Sequence, residues 1–256
     1  MLPSSPIDRR SALGFAAAGA ALLQAPAFAR TAGGIGALAF DGFTIFDPRP
    51  VTAAVAHLVP EKGAALAGAW TNKIFALSWL ETSAGRYSGF AALADAALEH
   101  SARSASIDLS PAQRRELVDV FGNLPAWPDA AAALEKMRSA GLRLALLSNI
   151  SAAMLSANMQ RNGLDKIMEP PLSTDSVRAF KPSPAAYAMG PKYFGLDRDR
   201  IGFVAFGGWD ALGAKWFGYR TAWINRLSVV QEMLTPAPDA TATDLSAALA
   251  LAGLAA

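Results

Sequence analysis

The sequence predicts an α/β fold, a doubly wound parallel sheet with a helical cap inserted after the first strand. Three observations predict it. Residues 37–46 form an apolar run typical of a buried strand, residues 52–122 read as helices without a strand among them, and strands and helices then alternate up to residue 226. Such alternation is typical of parallel sheets, which bind ligands at the carboxyl ends of their strands.

The first strand and the cap follow from local patterns. The run "ALAFDGFTIF" is mainly apolar, as expected for a strand covered by helices on both faces of a sheet. Among the helices that follow, one starts with Ser110 as N-cap and Pro111 as first helical residue. We assign residues 52–122 to a cap domain and residues 37–51 and 123–256 to a core domain.

The rest of the core domain consists of alternating elements. We predict a helix from about Asp129 to Ala140 that Gly141 ends. The later strands are "LRLALLSN", "IGFVAF" and "TAWINR", and the later helices are "SAAMLSANMQRNG", "SPAAYAMGPKYFG" and "DALGAKWFG", with a short segment near "IMEPPLS". A loop and a terminal helix complete the chain.

Composition excludes several classes of function. The 256 residues are 52% hydrophobic and 17% charged, which is enough to bury a sizeable core. The 23 basic and 21 acidic residues form no basic stripe, so we expect no nucleic-acid partner. The chain has no cysteine, which excludes disulfides, thiol nucleophiles and cysteine-ligated zinc, and only His57 and His100 remain as imidazole ligands or bases.

Residues 1–30 have the pattern of an export leader. Arg9 and Arg10 precede an Ala/Leu-rich stretch that ends in Ala27-Phe28-Ala29, the order of charged region, apolar region and cleavage site found in twin-arginine signal peptides. A membrane anchor would need about 20 apolar residues in a row, and this stretch is shorter and contains glycine and proline. We therefore expect a cleaved leader, a periplasmic protein and no stable membrane anchor.

Polar side chains follow the predicted strands at the edge where parallel strands place their carboxyl ends. They are Asp41 with Thr44, Ser148 with Asn149, Lys181 in the loop before a helix, and Asp210. Each one alone has an ordinary interpretation, as a helix cap or a solvated surface charge. Together they predict a hydrolytic site made of two carboxylates, an ammonium, a hydroxyl and an amide, which needs neither metal nor histidine.

Four segments resemble the motifs of the haloacid dehalogenase superfamily, and within it the type II (S)-2-haloacid dehalogenases. They are "FDGFTIFD", "LALLSNIS", "FKPSPAAYAM" and "WDALGAKWFGYRTAWINR", in the same order and spacing. The similarity extends through the cap at "AWTNKIFALSWLETSAGRY" and covers about residues 37 to 245. It implies a Rossmann-like core with a helical cap, a small-molecule substrate, no cofactor or metal, and a homodimer.

The resemblance also implies roles for individual residues. Asp41 would attack C2 of a short 2-haloacid, expel halide and leave an ester that water hydrolyses. Lys181 would keep Asp41 ionised, Asp210 would orient Lys181 or the water, and Thr44 would belong to the same catalytic group. The implied substrate-binding residues are Gly42, Phe43, Thr71, Ser148, Asn149, Tyr187 and Trp209.

The sequence departs from the pattern of this group on the halide side. The loop after Asp41 is one residue short and lacks its glycine, and Thr71 aligns with the cap arginine that contacts the leaving halogen. A serine, a second polar residue and an asparagine of the group are replaced here by Ala205, Phe206 and Gly207. Two other arginines are candidates for the missing cation, Arg49 and Arg178.

Two alternatives remain open from the residues. A phosphatase of the same superfamily would need carboxylates at positions 43 and 206, where this chain has Phe43 and Phe206, so magnesium would have only Asp41 and Asp210. A binding protein that kept the fold and lost the chemistry would retain Lys181 and Asp210 as a structural ion pair. The motif set favours dehalogenation over both.

Overall fold

The computed structural model describes residues 34–255, so the predicted leader lies outside the described residues. A parallel sheet of six strands forms the core, in the order β3-β2-β1-β4-β5-β6. The strands are β1 (Ala37–Phe40), β2 (Arg143–Ser148), β3 (Leu172–Ser173), β4 (Ile201–Ala205), β5 (Arg220–Ile224) and β6 (Ala240–Ala242). The doubly wound parallel sheet is therefore confirmed.

Helices cover the sheet and build the cap. They are α1 (Gly42–Ile45), α2 (Arg49–Leu58), α3 (Gly63–Ser83), α4 (Phe90–Ser104), α5 (Pro111–Asp119), α6 (Ala130–Ser139), α7 (Ala152–Arg161), α8 (Pro184–Tyr187), α9 (Met189–Phe194), α10 (Gly208–Phe217) and α11 (Ser246–Leu251). Helices α2 to α5 lie between β1 and β2 in the chain, where the cap was predicted. Among the described residues, no helix has both the length and the apolarity needed to cross a bilayer.

Strand β1 lies in the middle of the sheet and is buried on both faces. Leu38 and Phe40 belong to an apolar cluster on one face, while Ala37 and Ala39 belong to a second cluster on the other, and none of the four is exposed. A strand packed on both faces reads as a continuous apolar run, which is why "ALAF" identified it. The residue after this strand therefore emerges at the centre of the sheet edge.

The structure differs in detail from the prediction in four places. The shortened loop after Asp41 forms a one-turn helix, α1. Helix α2 begins at Arg49 with Pro48 as N-cap, and the Asp47 carboxylate accepts one hydrogen bond from the backbone N–H of Arg49, at 2.9 Å. The helix predicted as "SPAAYAMGPKYFG" is divided into α8 and α9, next to Pro191, which has no N–H for a helical hydrogen bond. Strand β6 was not predicted, since "ATA" has no apolar run to reveal it.

Candidate active site

Asp41 is the residue that follows β1, and its carboxylate is held on both sides. Its backbone N–H donates to the carbonyl of Val204 on the neighbouring strand, at 2.9 Å. Its Oδ2 accepts from the backbone N–H of Phe43, at 3.0 Å, and so caps α1. A Cβ at Gly42 would lie 3.1 Å from Ser148 Oγ, so glycine lets this turn approach the end of β2. The sheet and α1 together aim the carboxylate.

Lys181 contacts the aspartates that follow β1 and β4. Its Nζ lies 2.8 Å from Asp41 Oδ1 and 2.5 Å from Asp210 Oδ2, and its side chain is 1% exposed. The backbone N–H of Lys181 donates to Asn149 Oδ1, at 2.8 Å. That bond fixes the amide of Asn149 so that its Nδ2 is the atom able to donate to a ligand. The structure therefore brings together the polar residues that the sequence placed at three separate strand ends.

Asp210 lies in the first turn of α10 and has a second partner, Tyr187. The hydroxyl of Tyr187 donates to Asp210 Oδ1, at 2.7 Å. A Cβ at position 213 would lie 2.6 Å from that hydroxyl, so Gly213 leaves the space through which Tyr187 reaches the carboxylate. Tyr187 does not line the cavity above Asp41. The family resemblance implied that Tyr187 contacts the substrate, whereas the structure places Tyr187 behind Asp210.

The Lys181 ammonium contacts two carboxylates, and this arrangement shifts the pKa values of Lys181 and Asp210. Burial would lower the pKa of Lys181, but the charges of Asp210 and Asp41 outweigh it and raise that pKa. Burial, reinforced by the charge of Asp41, raises the pKa of Asp210 from 3.8 to about 6, against the opposing effect of Lys181. The stability that Asp210 contributes is thus complete below its ordinary pKa of 3.8 and is lost as the pH rises through about 6.

A cavity of about 410 Å³ lies between the sheet edge and the cap. Its polar end contains Asp41, Lys181, Asp210, Ser148 and Asn149. Its apolar wall includes six phenylalanines, Phe43, Phe75, Phe90, Phe121, Phe180 and Phe206. Apolar helix positions such as those of Phe75 and Phe90 look like cap core in a sequence, so the motifs did not reveal this wall. The arrangement suits a ligand with one polar end and one apolar end.

The remaining predicted site residues are placed as follows. Phe43, Thr71 and Trp209 line the cavity, but Gly42 and Thr44 do not. Thr44 is fully buried, and its hydroxyl donates to the Asp41 carbonyl, at 2.6 Å, so it holds the backbone of Asp41. The hydroxyl of Thr71 donates to the carbonyl of Ala67 one turn earlier in α3, at 2.9 Å.

The two arginines considered as replacement cations have other partners. Arg49 lines the cavity, yet its guanidinium donates to the Asp47 carboxylate, at 2.6 to 2.9 Å. Arg178 does not line the cavity, and its Nη2 donates to the carbonyl of Tyr87, at 3.2 Å. Arg226, for which no role was predicted, lines the cavity and donates to the Thr44 carbonyl, at 2.8 Å. Its position at the end of the motif "TAWINR" was the available signal.

The carboxylates at this edge do not resemble a magnesium site. Asp41 and Asp210 both bind the ammonium of Lys181, which lies between them where a shared cation would sit. Phe43 and Phe206 hold the positions where a phosphatase would carry further carboxylates, and their rings pack edge to face with centroids 5.8 Å apart. Within residues 34–255, no three or more His, Cys, Asp or Glu side chains are grouped to hold a metal.

The fold and this edge of the sheet define the class of protein. A negatively charged carboxylate faces a capped, largely apolar cavity from the central strand of a parallel sheet, and a buried lysine fixes it in place. Ligands of open α/β sheets bind at this edge. The molecule is thus a doubly wound α/β protein with a capped site built around an aspartate.

Comparison with known proteins identifies the family. The sequence profile of the haloacid dehalogenase-like hydrolases matches residues 26–218. Haloacetate dehalogenase H-2 of Moraxella sp. (strain B) is 34% identical over 208 residues, which cover 81% of this chain and 93% of that protein. An (S)-2-haloacid dehalogenase of Pseudomonas sp. (strain YL) is 33% identical over 215 residues, covering 84% of this chain and 93% of the relative. The chain belongs to the haloacid dehalogenase-like hydrolase family.

Solved structures agree with this assignment. The crystal structure of an L-2-haloacid dehalogenase superposes with a TM-score of 0.83 at 34% identity, covering 86% of this chain and 99% of that one. The enzyme from Xanthobacter autotrophicus, solved with chloropropionic acid covalently bound, superposes with a TM-score of 0.78 at 28% identity, covering 84% and 98%. The Rossmann-like core and the helical cap are therefore those of this family.

Proposed function

We propose that the protein hydrolyses the carbon–halogen bond of (S)-2-haloacids. The observation that carries the proposal is the Asp41 carboxylate, which faces the cavity and is held by Lys181 Nζ at 2.8 Å and by the Phe43 N–H at 3.0 Å. A carboxylate fixed in this way is a positioned nucleophile. The names of the relatives, dehalogenases that act on haloacetate or (S)-2-haloacids, support the same reaction.

The reaction has two steps. An oxygen of Asp41 forms a bond to C2 while the carbon–halogen bond breaks, and halide leaves with the electron pair. Water then adds to the carbonyl carbon of the resulting ester, and one of its protons passes to Asp210. The acyl carbon–oxygen bond breaks, the departing alkoxide takes the second proton of that water to give the 2-hydroxyacid, and Asp41 is restored as a carboxylate; Asp210 then releases its proton to solvent. Lys181 balances charge throughout, since it touches both carboxylates. Ser148 Oγ and Asn149 Nδ2, which belong to the polar end of the cavity, would bind the substrate carboxylate.

Isotope labelling tests the ester step. During repeated turnover of (S)-2-chloropropionate in oxygen-18 water, the Asp41 carboxylate should acquire oxygen-18, because water attacks the ester carbonyl and leaves one of its oxygens on the aspartate. Peptide mass spectrometry locates the label, and chloride release counts the turnovers. Labelled product with an unlabelled Asp41 would contradict the ester mechanism, and absence of halide release from every 2-haloacid would remove the dehalogenase proposal.

The acid limb of the pH profile should report Asp210. We expect kcat/KM to fall as the pH drops through about 6, since a protonated Asp210 cannot accept the proton of the attacking water. Tyr187→Phe removes a hydrogen bond that favours the ionised carboxylate, so the pKa of Asp210 should rise and the limb should move to higher pH. The matched change Tyr193→Phe, at a residue outside the cavity lining, should leave the limb in place. An acid limb that Tyr187→Phe leaves unmoved would contradict this assignment.

Restoring the halide-side cation should accelerate the reaction. Thr71 lines the cavity at the position of the family's cap arginine, so Thr71→Arg should raise kcat/KM for (S)-2-chloropropionate by about 10- to 100-fold, part of the 100- to 1000-fold that one preorganised donor contributes. The control is Asn72→Arg, one residue along α3, because Asn72 is exposed and does not line the cavity. Equal effects of the two substitutions would show that net charge, rather than position, is responsible.

We infer that residues 1–30 are a twin-arginine leader and that the mature chain, beginning near Arg30, works in the periplasm. The paired arginines and the Ala27-Phe28-Ala29 site support this proposal. In cell fractionation, the tagged full-length chain should appear shortened in the periplasm, and replacing Arg9 and Arg10 by lysines should keep it in the cytoplasm. Full-length wild-type chain confined to the cytoplasm would contradict the proposal.

We also propose a homodimer, as the family resemblance implies. Apolar side chains on the loop after β5 support association, since Val230 and Met233 are 79% and 83% exposed. Sedimentation velocity of the mature chain should give twice the monomer mass, and Met233→Glu should lower that mass if this loop lies in the interface. A monomer at every concentration would contradict the proposal.

A further inference from the structure

The cavity above Asp41 is large for the acids that its relatives' names describe. An apolar cavity of about 150 Å³ already accepts benzene. The cavity here has about 410 Å³ and falls in the range of roughly 300 to 1,000 Å³ that holds drug-sized ligands. Haloacetate or 2-chloropropionate would fill only a minor part of this volume.

The cap side of the cavity, away from Asp41, Lys181 and Asp210, is apolar, and the charged residues Arg49, Arg226 and Glu232 line the cavity from outside α3 and α4. The residues that α3 and α4 contribute to its wall carry no charge, and they are Thr71, Ile74, Phe75, Ser78, Phe90 and Leu93. The hydroxyls of Thr71 and Ser78 both donate to backbone carbonyls of their own helix, so neither requires a polar group from a ligand. Phe75 packs against Trp209 with ring centroids 5.2 Å apart, which joins the cap side of the wall to the core.

The replaced residues of the halide side make the floor of the same space apolar. Gly207 lines the cavity without a side chain, and the Trp209 indole lies against it, since a Cβ at position 207 would be 2.8 Å from Trp209 Nε1. Phe206 contributes a ring that packs on Phe43, so this part of the floor is apolar. Arg49 and Arg226 line the cavity too, but their guanidinium groups are held by Asp47 and Asp129. A ligand anchored by its carboxylate at the polar end therefore meets hydrocarbon along the cap.

We propose that the preferred substrates are 2-haloacids whose C2 carries an extended apolar group, an alkyl chain of several carbons or a phenyl ring. This inference rests on the proposed function, since it assigns the substrate class of that same site. The carboxylate of such an acid lies near Ser148 and Asn149, its C2 faces Asp41, and its tail fills the space between Phe90 and Leu93 of α4 and the phenylalanines of the core.

A chain-length series tests the proposal on the mature wild-type protein. The probes are (S)-2-bromopropionate, (S)-2-bromohexanoate and (S)-2-bromo-octanoate, and the readout is bromide release. Each methylene buried on the way to the transition state should raise kcat/KM about fourfold, which corresponds to about 0.8 kcal/mol. Bromohexanoate should therefore exceed bromopropionate by about 60-fold. Constant or falling kcat/KM with length, while bromopropionate is turned over, would overturn the proposal and leave the proposed function standing.

Filling the cavity with a larger side chain should remove the preference for long-chain substrates. Leu93→Phe adds volume to the wall, so the ratio of kcat/KM for bromohexanoate to that for bromopropionate should fall at least about 10-fold. Ala92→Leu, on the exposed face of the same helix and outside the cavity lining, should leave that ratio unchanged. A ratio that Leu93→Phe does not lower would place the tail elsewhere and overturn the assignment.

Binding without turnover separates the two proposals. Propionate, hexanoate and octanoate lack the halogen, so isothermal titration of the Asp41→Asn variant with these acids measures the affinity of the cavity without any reaction. Affinity that rises with chain length supports the apolar subsite even if no acid releases bromide, a result that would overturn the proposed function only. Affinity that does not change between propionate and octanoate would overturn the subsite.

Discussion

Asp41→Asn is expected to lower kcat for (S)-2-haloacids by at least about 10⁴-fold, the scale on which removal of a catalytic nucleophile acts. An amide has no negative charge and is a far weaker nucleophile, so the ester cannot form at a useful rate. The fold should survive, because Lys181 retains Asp210 as a buried partner at 2.5 Å. Halide release and the circular dichroism spectrum, measured on the same preparation, check both parts of the expectation.

A matched substitution controls for the loss of one negative charge. Asp119 is an exposed carboxylate in α5 that does not line the cavity, and Asp119→Asn should leave kcat within about twofold of the wild-type value. Substantial turnover by Asp41→Asn would show that another group, or water itself, attacks C2. The ester mechanism would then be wrong even if the substrate assignment held.

Lys181→Met should damage stability as well as activity. The substitution removes the ammonium that Asp41 and Asp210 share and leaves the Asp210 carboxylate buried without a counter-charge. Breaking a buried ion pair in this way costs about 3 to 5 kcal/mol. Urea denaturation at neutral pH should show that loss in the free energy of unfolding, and the loss should shrink at acid pH, where protonation removes the unpaired charge.

Two further variants make the Lys181 prediction specific. The double variant Lys181→Met, Asp210→Asn should recover part of the lost stability, because it removes the unpaired buried charge and not only the cation. Lys192→Met, at an exposed lysine of α9, should change the free energy of unfolding by no more than about 0.5 kcal/mol. A Lys181→Met protein as stable as the wild type would mean that the two carboxylates are solvated or already protonated at neutral pH.

Most of the core fold could be predicted because its signals are local. Apolar runs identified β1, β2, β4 and β5, and Ser110, the predicted N-cap, caps α5 in the structure. Strand β6 was missed since Ala240–Ala242 is partly exposed and carries no apolar pattern. Its place at the sheet edge depends on pairing with β5, a contact between segments that local periodicity does not report.

The polar end of the candidate site could be predicted for a related reason. Asp41, Ser148 with Asn149, and Asp210 each follow a strand, and parallel strands bring such residues to one edge. The roles of Thr44 and Tyr187 could not be predicted from the sequence in the same way. Both side chains point away from the cavity and donate a hydrogen bond to a neighbouring aspartate. Their orientation depends on the packing of several elements.

The sequence by itself determined the alternation of strands and helices, the absence of cysteine chemistry, and the identity of the aspartate and lysine at the sheet edge. Only the tertiary structure decided that Arg49 is held by Asp47, that Tyr187 supports Asp210, and that the cap leaves an apolar cavity of about 410 Å³. The reason is physical. Periodicity and capping depend on near neighbours in the chain, whereas ion pairs and cavities depend on which side chains from distant segments meet, and on the space left between them.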